Sequence, residues 1–302
     1  MPMVRDLPDG GAWASGNTHF GGHYSVVPGS GLLRTARREV VNPLSMLTLL
    51  LIALIVAVTY FAVVWAISVK IKNYGLLDVA WSYGVAILAP IYAWLGPGGA
   101  THKWIATSIG VAWSLRLGTH ILIRVLKHHP VEDVRYETLR ARWPGSWKFL
   151  AFFELQAVLL VVLSQPFLFA AYNPNALMPI EYAGLAIAFL SLGGESIADL
   201  QLTQFKKDPS NRGKVCQAGL WQFSRHPNYF FEALIWVGFA LFALGSPFGW
   251  IALSCPLLML YILLRVTGIP LTEEYAVKSK GEAYREYQRT TSAFIPWFRK
   301  SS

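Results

Sequence analysis

Ser224-Arg225-His226-Pro227-Asn228-Tyr229-Phe230-Phe231-Glu232 leads into a run, Ala233 to Leu264, that carries no formal charge. The preceding Gly219-Leu220-Trp221 reads as an aqueous loop. Charged and hydrogen-bonding side chains therefore crowd the point where the chain enters an apolar phase. Charge near lipid is costly unless it holds something polar. The stretch marks a membrane boundary and a candidate site at once.

The composition agrees. Hydrophobic residues make up 54% of the chain and charged residues 14%, where a soluble domain carries about a quarter charged. Mean hydropathy is +0.40. A spanning helix needs roughly 20 apolar residues, and several segments supply them. Leu44 to Val69 and Val79 to His102 are uncharged, the second losing useful length at Pro97-Gly98-Gly99. Lys103 to Leu126 is apolar apart from Arg116 and Arg124. Leu155 to Ile180 is uncharged with a break at Asn173-Pro174, and Tyr182 to Gln204 starts apolar and ends polar. The run after Glu232 is too long for one helix, and Gly245-Ser246-Pro247 divides it. The expected fold is an all-α, polytopic integral membrane protein with seven transmembrane helices.

Loop charge sets the expected orientation. With seven crossings, the first, third and fifth connections share a side with the C-terminal tail. They hold Lys70, Lys72, Lys127, Arg135, Arg140, Arg142, Lys148, Lys206, Lys207, Arg212, Lys214 and Arg225. Arg34, Arg37 and Arg38 oppose this but are outnumbered. The positive-inside rule puts the C-terminus in the cytoplasm and the N-terminus outside, in a bacterial inner membrane. The net charge of +9 follows from this asymmetry and requires no nucleic-acid partner. Residues 1–42 are Gly-rich without periodicity and read as a polar, disordered tail; residues 43–302 form the membrane domain. Two cysteines and scattered histidines carry no disulfide framework and no metal spacing.

Three sets of polar residues fall within the spans. Arg116, His120 and Arg124, four apart, share one helical face. A deep guanidinium needs a carboxylate or an anionic ligand. Glu195 and Asp199 are again four apart, on a face that points into the bundle and either pairs with Arg116 or Arg265 or lines a polar cavity. Asp78 opens the second helix, as a cap or as an acid, and Glu154 starts the fourth. Polar groups thus gather at one half of the last three helices, beside an aromatic-rich remainder. That suits an amphiphilic site for a charged cofactor and a lipid, with Arg and Lys for phosphates and Tyr and Trp for rings.

The segment Gly219-Leu220-Trp221 with Ser224 to Tyr229 and Glu232 resembles the steroid 5-alpha-reductase family, in its bacterial branch, the DUF1295 domain. Asp78-Val79-Ala80-Trp81, Glu132-Asp133-Val134-Arg135-Tyr136, Ala198-Asp199-Leu200-Gln201-Leu202 and Val266-Thr267-Gly268-Ile269-Pro270 agree, over about residues 70 to 298. The resemblance implies a membrane reductase that takes NADPH from the cytosol and reduces a C=C bond conjugated to a ketone in a sterol-like lipid. It places Asn228, Asp199, Lys206 and Arg265 at cofactor positions. Glu195, Arg225, His226, Tyr229 and Glu232 join the same wall by proximity. Glu274, Tyr275 and Tyr287 fall in a covering tail. The family grips its substrate carbonyl with a glutamate and a tyrosine. Here Asp78 lies near the glutamate position and Trp113 stands at the tyrosine, which puts steroid specificity in doubt. Asp78 is then the expected acid, with Trp113 and Arg116 at the catalytic end.

Two other readings stay open. The Arg-His-Pro core also occurs in membrane methyltransferases that use S-adenosylmethionine, and Glu273-Glu274 fits their acidic tail. A non-enzymatic lipid-binding bundle is the third reading, supported by the missing tyrosine at Trp113.

Overall fold

The computed structural model describes residues 45–143 and 145–299. The tail expected over 1–42 lies outside the described residues. Asn42–Ser302 form one compact unit, and among the described residues there is no strand. The helices are α1 (Met46–Ile71), α2 (Leu76–Leu95), α3 (Ala100–His128), α4 (Val134–Arg142), α5 (Ser146–Leu163), α6 (Gln165–Ala170), α7 (Pro179–Lys207), α8 (Pro227–Ala243), α9 (Ser254–Tyr261), α10 (Ile269–Lys280) and α11 (Glu282–Thr290).

By length and composition, six stretches can cross a membrane: α1, α2, α3, α5 with α6, α7, and Gly249–Lys280, which bends at Thr267-Gly268. α8 is apolar but only 17 residues long. Pro227 starts it, because proline suits a first helical turn, and Gly245-Ser246 ends it. The fourth span begins at Ser146, earlier than Leu155, because Glu154 is carried within α5. A π-helical turn, Ile262–Val266, interrupts the last span and contains Arg265.

α1 shows how the bundle meets its surroundings. Ser45 caps it, its hydroxyl accepting from the Thr48 amide at 3.1 Å. Leu49, Ala53, Ala57 and Phe61, four apart, are buried, while Leu47 and Ile55 are about two-thirds exposed. An outward face made of Leu, Ile and Val is costly in water and suited to lipid.

Two glycines set the closest helix pair. A Cβ at Gly184 on α7 would lie 2.7 Å from the Gly238 carbonyl oxygen on α8. Backbones this close need small residues at the crossing, and the approach holds α7 and α8 as one two-helix wall. At the basic end, Trp221 Nε1 donates to the Ala198 carbonyl at 2.9 Å, binding the loop before α8 onto α7. At the opposite end Glu181 accepts from Asn173 at 3.1 Å and from the Met178 amide at 2.6 Å, and His102 Nε2 lies 3.0 Å away.

Candidate functional site

The wall made by α7 and α8 faces α3, and the charged residues meet there. Arg116 extends from α3 and donates to Glu195 Oε1 at 2.7 Å and to Asp199 Oδ2 at 2.6 Å. The four-residue spacing stacks both carboxylates on one face of α7, so one planar guanidinium reaches both. Trp113, one turn before Arg116, donates Nε1 to Glu195 Oε2 at 3.0 Å. Asn228 donates Nδ2 to Asp199 Oδ1 at 3.3 Å. Glu195 and Trp113 are fully buried. Below them lies an aromatic floor: Trp113 meets Trp236 edge-on at 5.5 Å, and Trp81 and Phe239 close the cluster.

This network is not closed. The Asn228 Oδ1 atom is buried with no hydrogen-bond partner. Glu232 makes no hydrogen bond or ion pair among the described residues; its charged neighbours are Glu195, Asp199, Arg116 and Asp78. Seven residues beyond Asp199, two helical turns or about 10 Å along α7, Lys206 stands on the same face. There it joins Lys207, Arg212, Lys214 and Lys280 around a cavity of about 450 Å³ that also includes Asp208 and the buried Cys216 thiol. None of the five cations makes an ion pair among the described residues. Burial pushes the Cys216 thiol up from its ordinary range, so it lies there in its neutral form.

The residues around Asn228 have a different task. Arg225 donates Nε to Glu273 Oε1 at 2.6 Å and Nη1 to the carbonyls of Gln288 at 3.0 Å and Thr291 at 2.5 Å. His226 Nε2 lies 3.3 Å from the same Glu273 oxygen, and its ring stacks on Tyr229 at 5.4 Å. Tyr287 donates to the Trp221 carbonyl and the Ser224 carbonyl. Arg225, His226 and Glu273 therefore clasp the tail onto the loop before α8, with their hydrogen-bonding capacity in use.

A family model described as protein of unknown function (DUF1295) matches residues 64–291. The chain belongs to the DUF1295 family. A Schizosaccharomyces pombe protein, described as uncharacterized protein C594.04c, is 26% identical over 270 residues, which is 78% of this chain and 76% of that protein. No solved structure matches.

In this DUF1295 chain Asp78, at the start of α2, neighbours Glu232 and lies 4.0 Å from Arg124 of α3. It accepts from Arg135 Nη2 at 2.6 Å and from the Tyr136 hydroxyl at 2.7 Å. The Asp78 carboxylate pushes Arg135 up, and burial followed by Asp78 pushes Tyr136 well up. Asp78 thus latches α2 to α4, and both of its oxygens are taken. Glu274 pairs at the surface with Lys278 at 2.5 Å, and the Tyr275 ring lies under the same lysine. Arg265 is exposed on the π-helical turn and has no ion pair among the described residues.

The structure therefore brings together Trp113, Arg116, Glu195, Asp199, Asn228 and Glu232, with Lys206 two turns away. It sets Arg225, His226 and Tyr229 in a supporting clasp, leaves Asp78 beside Glu232 with both oxygens held by Arg135 and Tyr136, and places Arg265, Glu274 and Tyr275 elsewhere. Arg135, Lys207, Arg212, Lys214 and Lys280 are neighbours that the sequence did not assign to the site, and Glu273 entered only with the methyltransferase reading. For Arg135 and Tyr136 a signal existed: they belong to one of the family-like motifs.

Proposed function

We propose that this chain is an NADPH-dependent reductase of a C=C bond conjugated to a ketone in a membrane lipid, steroid-like in shape. One observation carries the reading: open hydrogen-bond acceptors, Asn228 Oδ1 and Glu232, lie beside Asp199, and two turns further along α7 Lys206 lines a cavity with four other cations. The residues fit the cofactor. Lys206, Lys207, Arg212, Lys214 and Lys280 would hold its phosphates, since cations without carboxylate partners suit phosphoryl groups. Asn228 and Glu232 would accept from the amide of its nicotinamide end. When bound, NADPH supplies the hydride. Arg116 and Trp113 hold Glu195 and Asp199 upright beneath it, and the clasp at Glu273 keeps the tail over the loop before α8. The likeness to the steroid 5-alpha-reductase family supports the same reading.

The topology goes with it: seven crossings, N-terminus outside and C-terminus in the cytoplasm of a bacterial inner membrane. α8 is the short crossing, about 25 Å against a hydrocarbon core of about 30 Å. A helix whose first turn lines an aqueous cleft has less hydrocarbon to cross. Lipid enters from the bilayer, and the cofactor enters from the basic face.

A membrane methyltransferase using S-adenosylmethionine is the second reading, favoured by Glu273-Glu274. Glu273 is already held by Arg225, and Glu274 pairs with Lys278, so neither carboxylate is open. S-adenosylmethionine also has no phosphate for the cations. The test is NADPH consumption by purified protein in lipid nanodiscs supplied with enone lipids, with mass detection of a product gaining two hydrogens. Methyl transfer to a lipid or thiol acceptor in the same preparation, without NADPH consumption, contradicts the reading.

A further inference from the structure

Asn228, Glu232 and Trp236 lie four apart on α8 and form one stripe. Each carries a hydrogen-bonding group left without a partner. Asn228 Oδ1 and Trp236 Nε1 are both buried and unpaired, and Glu232 makes no hydrogen bond. Trp236 is 0% exposed. Its ring is boxed by Trp81 at 6.5 Å, Trp113 at 5.5 Å and Phe239 at 5.6 Å. The box is apolar, so the indole N–H meets neither solvent nor protein acceptor. A buried donor left unmatched is costly, and few native groups are left that way. The neighbouring indole makes the contrast: Trp113 N–H is taken by Glu195 at 3.0 Å.

We propose that Trp236 is the catalytic hydrogen-bond donor to the carbonyl oxygen of the lipid substrate. This rests on the reductase reading and names the substrate contact that the reading lacks. One helical turn, about 6 Å, separates Glu232 from Trp236, enough to place a reduced nicotinamide at one level and an enone oxygen at the next. With NADPH bound, its hydride would reach the β carbon and the C=C pair would move toward the oxygen. The oxygen takes up negative charge while hydrogen-bonded to the indole, which keeps its proton. A proton from water completes the α carbon. An N–H donated to the developing oxyanion in a buried site of low dielectric stabilises that charge more than it would in solution. Trp81, Trp113 and Phe239 supply flat faces for the lipid rings around it.

The decisive variant is Trp236→Phe, which keeps an aromatic ring and removes the donor together with the five-membered ring that carries it. In the ligand-free protein no hydrogen bond is lost, and any fall in melting temperature reflects only the space the smaller ring leaves. NADPH affinity stays at the wild-type value, and the rate of enone reduction falls about 100-fold. A second measurement works without NADPH: binding of cholest-4-en-3-one against cholest-4-ene, which lacks the oxygen. Wild type prefers the ketone about tenfold, and Trp236→Phe loses the preference. A wild type that binds both lipids alike, or a variant that keeps the preference, overturns the assignment. Loss of NADPH binding in wild type would fell the reductase reading, and the lipid pair would still decide the role of Trp236.

Discussion

Two polar clusters sit toward the basic end of this bundle, made of the same residue types and left in different states. The latch at α2 and α4 is closed. Asp78 is filled by Arg135 and Tyr136, and Glu132 is filled by Arg140 at 2.8 Å and by the Tyr74 amide at 2.5 Å. The wall of α3, α7 and α8 is open. Arg116 is matched by two carboxylates, and then Asn228 Oδ1, Glu232 and Trp236 Nε1 remain over. A polar cluster with every group satisfied holds a fold together. One with capacity left over in a buried place is built around something it does not itself contain. The Asp78 position, expected to supply the acid, is of the first kind.

The comparison can be broken most forcefully at Arg116. Arg116→Ala leaves two buried carboxylates without their cation and should cost roughly 3–5 kcal/mol, read as lost thermal stability in detergent. Arg116→Lys should recover only part, because an ammonium lacks the fork that spans two acids. A loss well under 1 kcal/mol would mean the wall is solvated. Next comes Asn228→Ala. It should cost at most about 1 kcal/mol of stability, since the residue makes one long hydrogen bond, yet remove stabilisation by NADPH. An unchanged NADPH effect would make Asn228 structural.

The latch should respond in the opposite sense. Arg135→Ala should lower stability by about 1 kcal/mol and expose α4 to protease, while NADPH affinity holds. An affinity loss as large as that of Asn228→Ala would erase the distinction between the clusters. The smallest effect is at Asp133, which is more than a third exposed. Burial raises its pKa, but hydrogen bonds and charge from Arg135 outweigh that and hold it below the ordinary carboxylate range. Its contribution is present above that ordinary range and is lost as pH falls through the lowered value. Asp133→Asn should therefore remove a few tenths of a kcal/mol at neutral pH and nothing in acid, measured by unfolding across pH.

Much of this was legible in the chain. Charge-free runs locate the spans, because a bilayer demands length and apolarity together. The spacing of Glu195 and Asp199 shows that they share a face, as does that of Arg116 and His120. Partners were harder. Helical period tells which residues share a face but not what stands opposite, and Arg135 meets Asp78 from 57 positions away. Glu273 and Glu274 are neighbours about 100° apart on a polar helix. No apolar stripe there tells which one turns inward, and it is Glu273. The short α8 was hidden because its uncharged run continues past Gly245 into the next helix. The unmatched N–H of Trp236 is visible only once its three ring neighbours are in place.

The central claim is that the open wall and the cation cavity receive one phosphate-bearing nicotinamide cofactor. Thermal unfolding of the purified protein with NADPH, NADH and S-adenosylmethionine in parallel tests it most directly, because a ligand that binds only the folded state raises the melting temperature by mass action. NADPH should raise it most, NADH less for want of the extra phosphate, and S-adenosylmethionine not at all. A rise with S-adenosylmethionine alone, or none with NADPH, would contradict the account.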